Sequence, residues 1–146
     1  MNGAKYYQEL ATLYKTQHLL KESIETYQIY LKMVPKYGSE YGITLNEIGC
    51  CYYELKKYEE ALPYFHRICD FFQSSDIHRN IAYCYRSLNN PDSYKLCEKH
   101  LLKSNELQPD NPTHLYDLCD LYYLMKEYKE SIYCFVKSKT KDPKFI

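Results

Sequence analysis

The sequence predicts an all-α fold in which four helix–turn–helix units stack side by side. Three observations carry this. Four similar pentapeptides recur: LATLY at 10–14, IGCCY at 48–52, IAYCY at 81–85 and LCDLY at 118–122. Each is followed by a polar break and a second amphipathic run. Turn punctuation is sparse, with 4 Gly and 6 Pro in 146 residues, too little for a many-stranded β fold.

Each pentapeptide reads aliphatic, small, variable, Leu or Cys, Tyr. Its first and last members are four apart and share one helical face. The small second residue lets a neighbouring helix come close. The second runs are KESIETYQIYLKMVP, EEALPYFHRICDFF, DSYKLCEKHLLKSNELQP and KESIYCFVKSKTKDP. Three of them close on a proline, at Pro35, Pro109 and Pro143, and proline is common just past a helix end. The second has Gln73 at that place, followed by Ser74-Ser75-Asp76, which reads as a turn and a helix N-cap. Asn89-Asn90-Pro91-Asp92 lengthens the turn of the third unit, with Asp92 positioned to cap the next helix. Pro63 stands inside a run and is expected to bend that helix.

Composition narrows the function classes. Lys and Arg number 19, as do Asp and Glu, and no run of one sign appears. A nucleic-acid binder usually shows a basic excess, so no nucleic-acid partner is expected. No apolar segment approaches the roughly 18 residues of a membrane span, and MNGAKYYQEL lacks the apolar core of a signal peptide. The seven cysteines (Cys50, Cys51, Cys69, Cys84, Cys97, Cys119 and Cys134) are odd in number and show no C-x-x-C. All lie in helical runs, which suits a reduced, cytoplasmic protein better than a disulfide framework.

The repeated unit resembles the tetratricopeptide repeat (TPR), a helix–turn–helix that recurs at about 34 residues. Tyr7, Leu10, Ala11, Tyr14, Ser23, Tyr27 and Pro35 carry the resemblance in the first unit. Leu45, Ile48, Gly49, Tyr52, Tyr58, Ala61 and Phe65 carry it in the second, and Ile81, Ala82, Tyr85, Cys97, Leu101, Ser104 and Pro109 in the third. The fourth offers Leu115, Leu118, Cys119, Tyr122, Tyr128, Ser131, Phe135, Ser138 and Pro143. The resemblance implies one domain over residues 1–146, a right-handed α-solenoid with repeats at about 4–37, 42–74, 75–111 and 112–145.

In that frame most cysteines fill helix-packing slots: Cys119 the small slot of a first helix, Cys97 that of a second helix. Neighbouring Cys50 and Cys51 point about 100° apart on a helix, which suits neither a disulfide nor a shared metal. Cys50 is expected to be the reachable thiol. His66, Cys69 and Asp70 share a helix flank but fall short of a zinc ligand set, and neither a metal nor another cofactor is expected. No phosphate loop, HExxH or G-x-S-x-G occurs, and an enzyme is not expected. Tyr14, Tyr52, Tyr85 and Tyr122 are expected in the core.

The resemblance implies a concave groove lined by the first helices, suited to a peptide or helix of a partner protein. Its candidate residues are Gln8, Thr12, Asn46, Glu47, Cys50, Tyr53, Arg79, Asn80, Tyr83, Arg86, Tyr116, Asp117, Asp120 and Tyr123. The TPR clamp for acidic chaperone tails needs two Lys, two Asn and an Arg. Here Gln8, Thr12, Glu47, Asp76 and Asn80 hold those places, and a shift of one repeat puts Asp117 in place of Arg. Arg79 and Arg86 against Asp117 and Asp120 suggest a ligand with a charge gradient. Apolar Ile132, Phe135 and Val136, near the terminal Lys144-Phe145-Ile146, are expected to remain partly uncovered. Self-association through that last repeat is therefore the second function considered, and helical-repeat RNA binding the third.

Overall fold

The computed structural model describes residues 2–109 and 111–141. Pro143 and Lys144-Phe145-Ile146, on which the closing of the fourth repeat was expected to turn, lie outside the described residues. Among those described there are eight α-helices and no strand. They are α1 (Asn2–Thr16), α2 (Leu20–Leu31), α3 (Ser39–Glu54), α4 (Tyr58–Cys69), α5 (Ser75–Leu88), α6 (Pro91–Leu107), α7 (Pro112–Leu124) and α8 (Tyr128–Lys141). Odd-numbered helices are the first of a pair (helix A) and even-numbered ones the second (helix B). Contacts gather in two units, Met1–Gln73 and Ser74–Ile146.

Each pair is closed by a left-handed turn at the fourth residue after the pentapeptide Tyr. His18, Lys56, Asn89 and Lys126 have φ of 58°, 59°, 56° and 61°. In three of the turns the Tyr carbonyl accepts a bond at 2.9 Å, Tyr14 from the Leu19 N–H, Tyr52 from Lys57 and Tyr122 from Glu127. The left-handed residue itself donates to the next carbonyl, as from Lys56 N–H to Tyr53 at 2.9 Å. This double bond pattern is a Schellman motif, and it satisfies the carbonyls that a helix end leaves free. The third turn is longer. There Asn90, not Asp92, caps α6: its side chain accepts from the Ser93 N–H at 2.9 Å, and Ser93 Oγ accepts from the Asn90 N–H at 3.1 Å. Pro91 then takes the first helical position, where its missing N–H costs nothing.

Small residues lock the pairs. Ser23 Oγ on α2 donates to the Ala11 carbonyl on α1 at 2.8 Å, and Ser131 Oγ on α8 donates to Cys119 on α7 at 2.9 Å. Gly49 on α3 lies against the Phe65 ring of α4. Pro63 is exposed, and α4 continues through it to Cys69.

In the first unit, Ala11, Leu20, Ile24, Tyr27, Ile48 and Cys51 form a core cluster shared by α1, α2 and α3. In the second, Ala82, Cys97, Leu101, Leu118, Leu121 and Cys134 do the same across α5 to α8. The tyrosines correct one expectation. Tyr14, Tyr52, Tyr85 and Tyr122 are half-buried rather than core. A phenol oxygen needs a polar partner, so these rings lie at the rim. Tyr122 donates to Glu98 Oε1 at 2.8 Å and Tyr52 stacks on Tyr64 at 5.6 Å. The buried tyrosines are Tyr27, Tyr30 and Tyr41.

Candidate functional site

The candidate residues of the first unit lie on α1 and α3. Thr12 Oγ1 donates to the Gln8 carbonyl at 2.9 Å and shares a bond with the Tyr27 hydroxyl at 3.1 Å. Lys15 Nζ meets Glu47 Oε2 at 2.6 Å. Burial works to lower the Lys15 pKa, but the hydrogen bond and charge of Glu47 outweigh it and raise it. The two helices are thus joined by a closed ion pair at Glu47, one of the candidate groove residues. Cys50 is half-buried beside them. Burial pushes its thiol up to about 11 against the opposing charge of Lys15, so it stays protonated at neutral pH and is a poor nucleophile. Nor is Cys50 more accessible in kind than Cys69 and Cys119, which are also half-buried. Asn46 and Tyr53 are half-buried too, with Tyr53 edge-on to Tyr58 at 5.2 Å.

The second unit builds its site on α5 and α7. Asp117 accepts from Arg79 Nε at 2.8 Å through Oδ2 and from the Tyr83 hydroxyl at 3.1 Å. The same hydroxyl accepts from Arg79 Nη2. The guanidinium lies 5.3 Å from the centre of the Tyr83 ring. Burial lowers the Arg79 pKa, but Asp117 raises it further. Burial, then the Asp117 charge, raises that of Tyr83, which keeps its proton to donate. Arg86 Nη2 and Asp120 Oδ2 stand 3.8 Å apart in a looser pair, with Asp120 63% exposed. Each arginine therefore faces its own aspartate. A paired charge presents a dipole and not a net field, so these four residues form neutralised pairs on this face. Asn80 is half-buried on α5. Tyr116 on α7 carries Lys139 Nζ 5.6 Å above its ring. Tyr123 is open, 65% exposed and edge-on to Tyr128 at 5.8 Å.

Each unit also carries an open cleft. One, of about 410 Å³, is lined by Ile24, Gln28, Tyr52 and Leu55; the other, of about 450 Å³, by Leu102, Leu118, Tyr122, Tyr133 and Cys134. Among the described residues no group of three or more His, Cys, Asp or Glu could hold a metal ion, and no helix is long and apolar enough to cross a membrane.

Solved structures share this architecture along nearly the whole chain. MamA matches with a TM-score of 0.79 at 18% identity, covering 92% of this chain and 75% of its own. The structure of MamA 41-end from Desulfovibrio magneticus RS-1 matches at 0.82 and 12% identity, covering 94% and 75%. YrrB, described as a TPR protein with an unusual peptide-binding site, matches at 0.78 and 16% identity, covering 96% and 69%. The fold is a tetratricopeptide-repeat α-solenoid. No protein-family model matches the chain, and no curated protein matches it in sequence. At these identities the likeness speaks for the fold, and residue roles in this chain rest on its own geometry.

Within that fold, sequence reasoning placed the candidate residues on helices A but missed their mutual pairing. The pairs Lys15–Glu47, Arg86–Asp120 and Arg79–Asp117 are separated by roughly one repeat length. Opposite charges at that spacing were the available signal. It also missed Tyr58 and Tyr128 as equivalent partners of Tyr53 and Tyr123.

Proposed function

We propose that this chain is a non-enzymatic scaffold whose helix-A faces bind a peptide or helix of a partner protein. The carrying observation is the α5–α7 face. A fixed polar group of Arg79, Tyr83 and Asp117 stands there beside an exposed Tyr123 and a loose Arg86–Asp120 pair. A surface ion pair of that kind is worth about 0–1 kcal/mol, so its members can exchange each other for ligand at little cost. Exposed tyrosine adds contact area at low entropic cost. No carboxylate clamp is formed: Gln8, Thr12, Glu47 and Asn80 stand at clamp places, and Lys15 is engaged by Glu47. The ligand is accordingly not an acidic chaperone tail. Cys51, Cys84 and Cys97 wholly buried in packing slots support a reducing, cytoplasmic setting.

The test is selection of peptides from a displayed library on the purified chain, followed by calorimetry on the selected peptide. Tyr123→Ala combined with Asp120→Lys is expected to weaken binding by about tenfold or more while leaving the melting temperature unchanged. Unaltered affinity in that variant and in Tyr53→Ala would refute the reading. Retention of RNA that fades with rising salt would favour the nucleic-acid alternative instead.

A further inference from the structure

Two faces of this chain stand open, and they are the two halves of an interface that the molecule already builds twice. In the first unit α3 packs on α2, and in the second α7 packs on α6. The inserted half comes from helix A, through the fourth residue of the pentapeptide. Cys51 and Leu121 hold that place in α3 and α7, and both are 0% exposed. The receiving half comes from helix B, four residues beyond its small slot. Tyr27 and Leu101 hold that place in α2 and α6, exposed by 3% and 1%.

The equivalent residues of α1 and α8 are not covered. Leu13 on α1 is 57% exposed and Phe135 on α8 is 46% exposed. The neighbouring places repeat the contrast. Tyr6 on α1 is 59% exposed, where Thr44 and His114 in its position are 1% and 0%. Ile132 on α8 is 63% exposed, where Ile24 in its position is 5%. Large apolar side chains are thus held at interface places and left in water, in the same register on both helices. The Ser131 bond to Cys119 repeats the Ser23 bond to Ala11, which fixes α8 against α7 as α2 is fixed against α1.

We propose that the α1 face of one copy docks on the α8 face of a second copy, so that chains add head to tail. Leu13 and Tyr6 of one molecule then cover Ile132 and Phe135 of the next, as Cys51 covers Tyr27 within the first unit. The contact is heterologous: it uses two different patches and leaves one of each free at the ends of every open assembly. A second copy is favoured as occupant because one chain carries both halves, and each half holds large apolar side chains in the register of an interface made by the same sequence pattern. The inference stands apart from the peptide-binding reading, since it engages none of the residues proposed to hold a peptide.

The experiment is sedimentation velocity on the full chain, from dilute solution up to roughly millimolar. The average mass is expected to rise with concentration without a plateau at the dimer. Leu13→Glu and Phe135→Glu, both at exposed places and so expected to keep the wild-type circular dichroism spectrum, are each expected to remain monomeric alone. Mixed together they should form a one-to-one dimer, because each variant keeps one intact face. Doubly substituted chain in the same mixture should not join. Persistent monomer in the wild type would overturn the proposal and leave these faces to another protein's helix or to a further repeat. So would self-association of either single variant by itself, since that would mean like faces meeting.

Discussion

Gly49 shows how closely helix A and helix B approach at the small slot. A Cβ placed there would lie 2.7 Å from Phe65 Cε1 and Cζ, nearer than real carbon contacts. Phe65 is 1% exposed and has little room to yield. Two effects oppose one another in Gly49→Ala. Alanine gains about 1 kcal/mol of helix propensity over glycine, while overpacking a core costs about 1–3 kcal/mol. The clash wins on this geometry, and a net loss of about 1 kcal/mol in urea unfolding is expected. In a Phe65→Leu background the ring is gone and the same substitution should become stabilising. If Gly49→Ala cost as much in that background, the contact with Phe65 would not be its cause. The need for a small residue here was legible in the sequence, because Ala11, Ala82 and Cys119 stand at the same place. The close approach of the Phe65 ring, which leaves no room for a Cβ at Gly49, is a tertiary fact that local sequence does not state.

At the scale of elements, the turns are where pattern and residue type part company. All four fall at the fourth residue after the pentapeptide Tyr, so their position follows from the repeat. Their geometry does not, since none carries the glycine that usually marks a left-handed residue. His18, Lys56 and Lys126 bear this conformation because the double hydrogen bond to the helix end holds them in it. The left-handed region costs a residue with a Cβ about 1–2 kcal/mol, and part of what glycine saves is lost to its freer unfolded chain. Lys56→Gly is therefore expected to stabilise by about 0.5–1 kcal/mol, a rise of roughly 2–4 °C in melting temperature at most. Asn89→Gly should gain less, because asparagine tolerates the conformation. Equal gains at both positions, or none at Lys56, would mean that the turn is not strained. The same limit explains the cap of α6. Asn-Pro announced a turn, yet which of Asn90 and Asp92 caps depends on where the helix starts, and Pro91 at its first position settles that.

Across the whole molecule, 19 basic and 19 acidic residues balance, and on the helix-A faces this balance is local. Lys15 meets Glu47 and Arg79 meets Asp117, each pair joining two helices A of one unit. Residue identity and face were readable along the chain, but partners were not, because the register between repeats is set by packing. The separations, from 32 residues for Lys15–Glu47 to 38 for Arg79–Asp117, vary with turn length. Burial decides what each pair is worth. Arg79 and Asp117 are 20% and 13% exposed, so removing one charge leaves the other poorly solvated. Asp117→Asn also weakens the acceptor for Tyr83, and a loss of about 1–3 kcal/mol in urea unfolding is expected. Asp120, at 63%, returns to water when its pair is broken, and Asp120→Asn should change stability by less than about 0.5 kcal/mol. Replacing both Arg79 and Asp117 by apolar residues of similar volume should recover much of the loss, since the cost lies in the stranded charge more than in the missing pair. Equal effects of the two aspartate substitutions would show that both pairs are solvated alike, and would remove the distinction between a fixed floor and an exchangeable rim on which the proposed peptide binding rests.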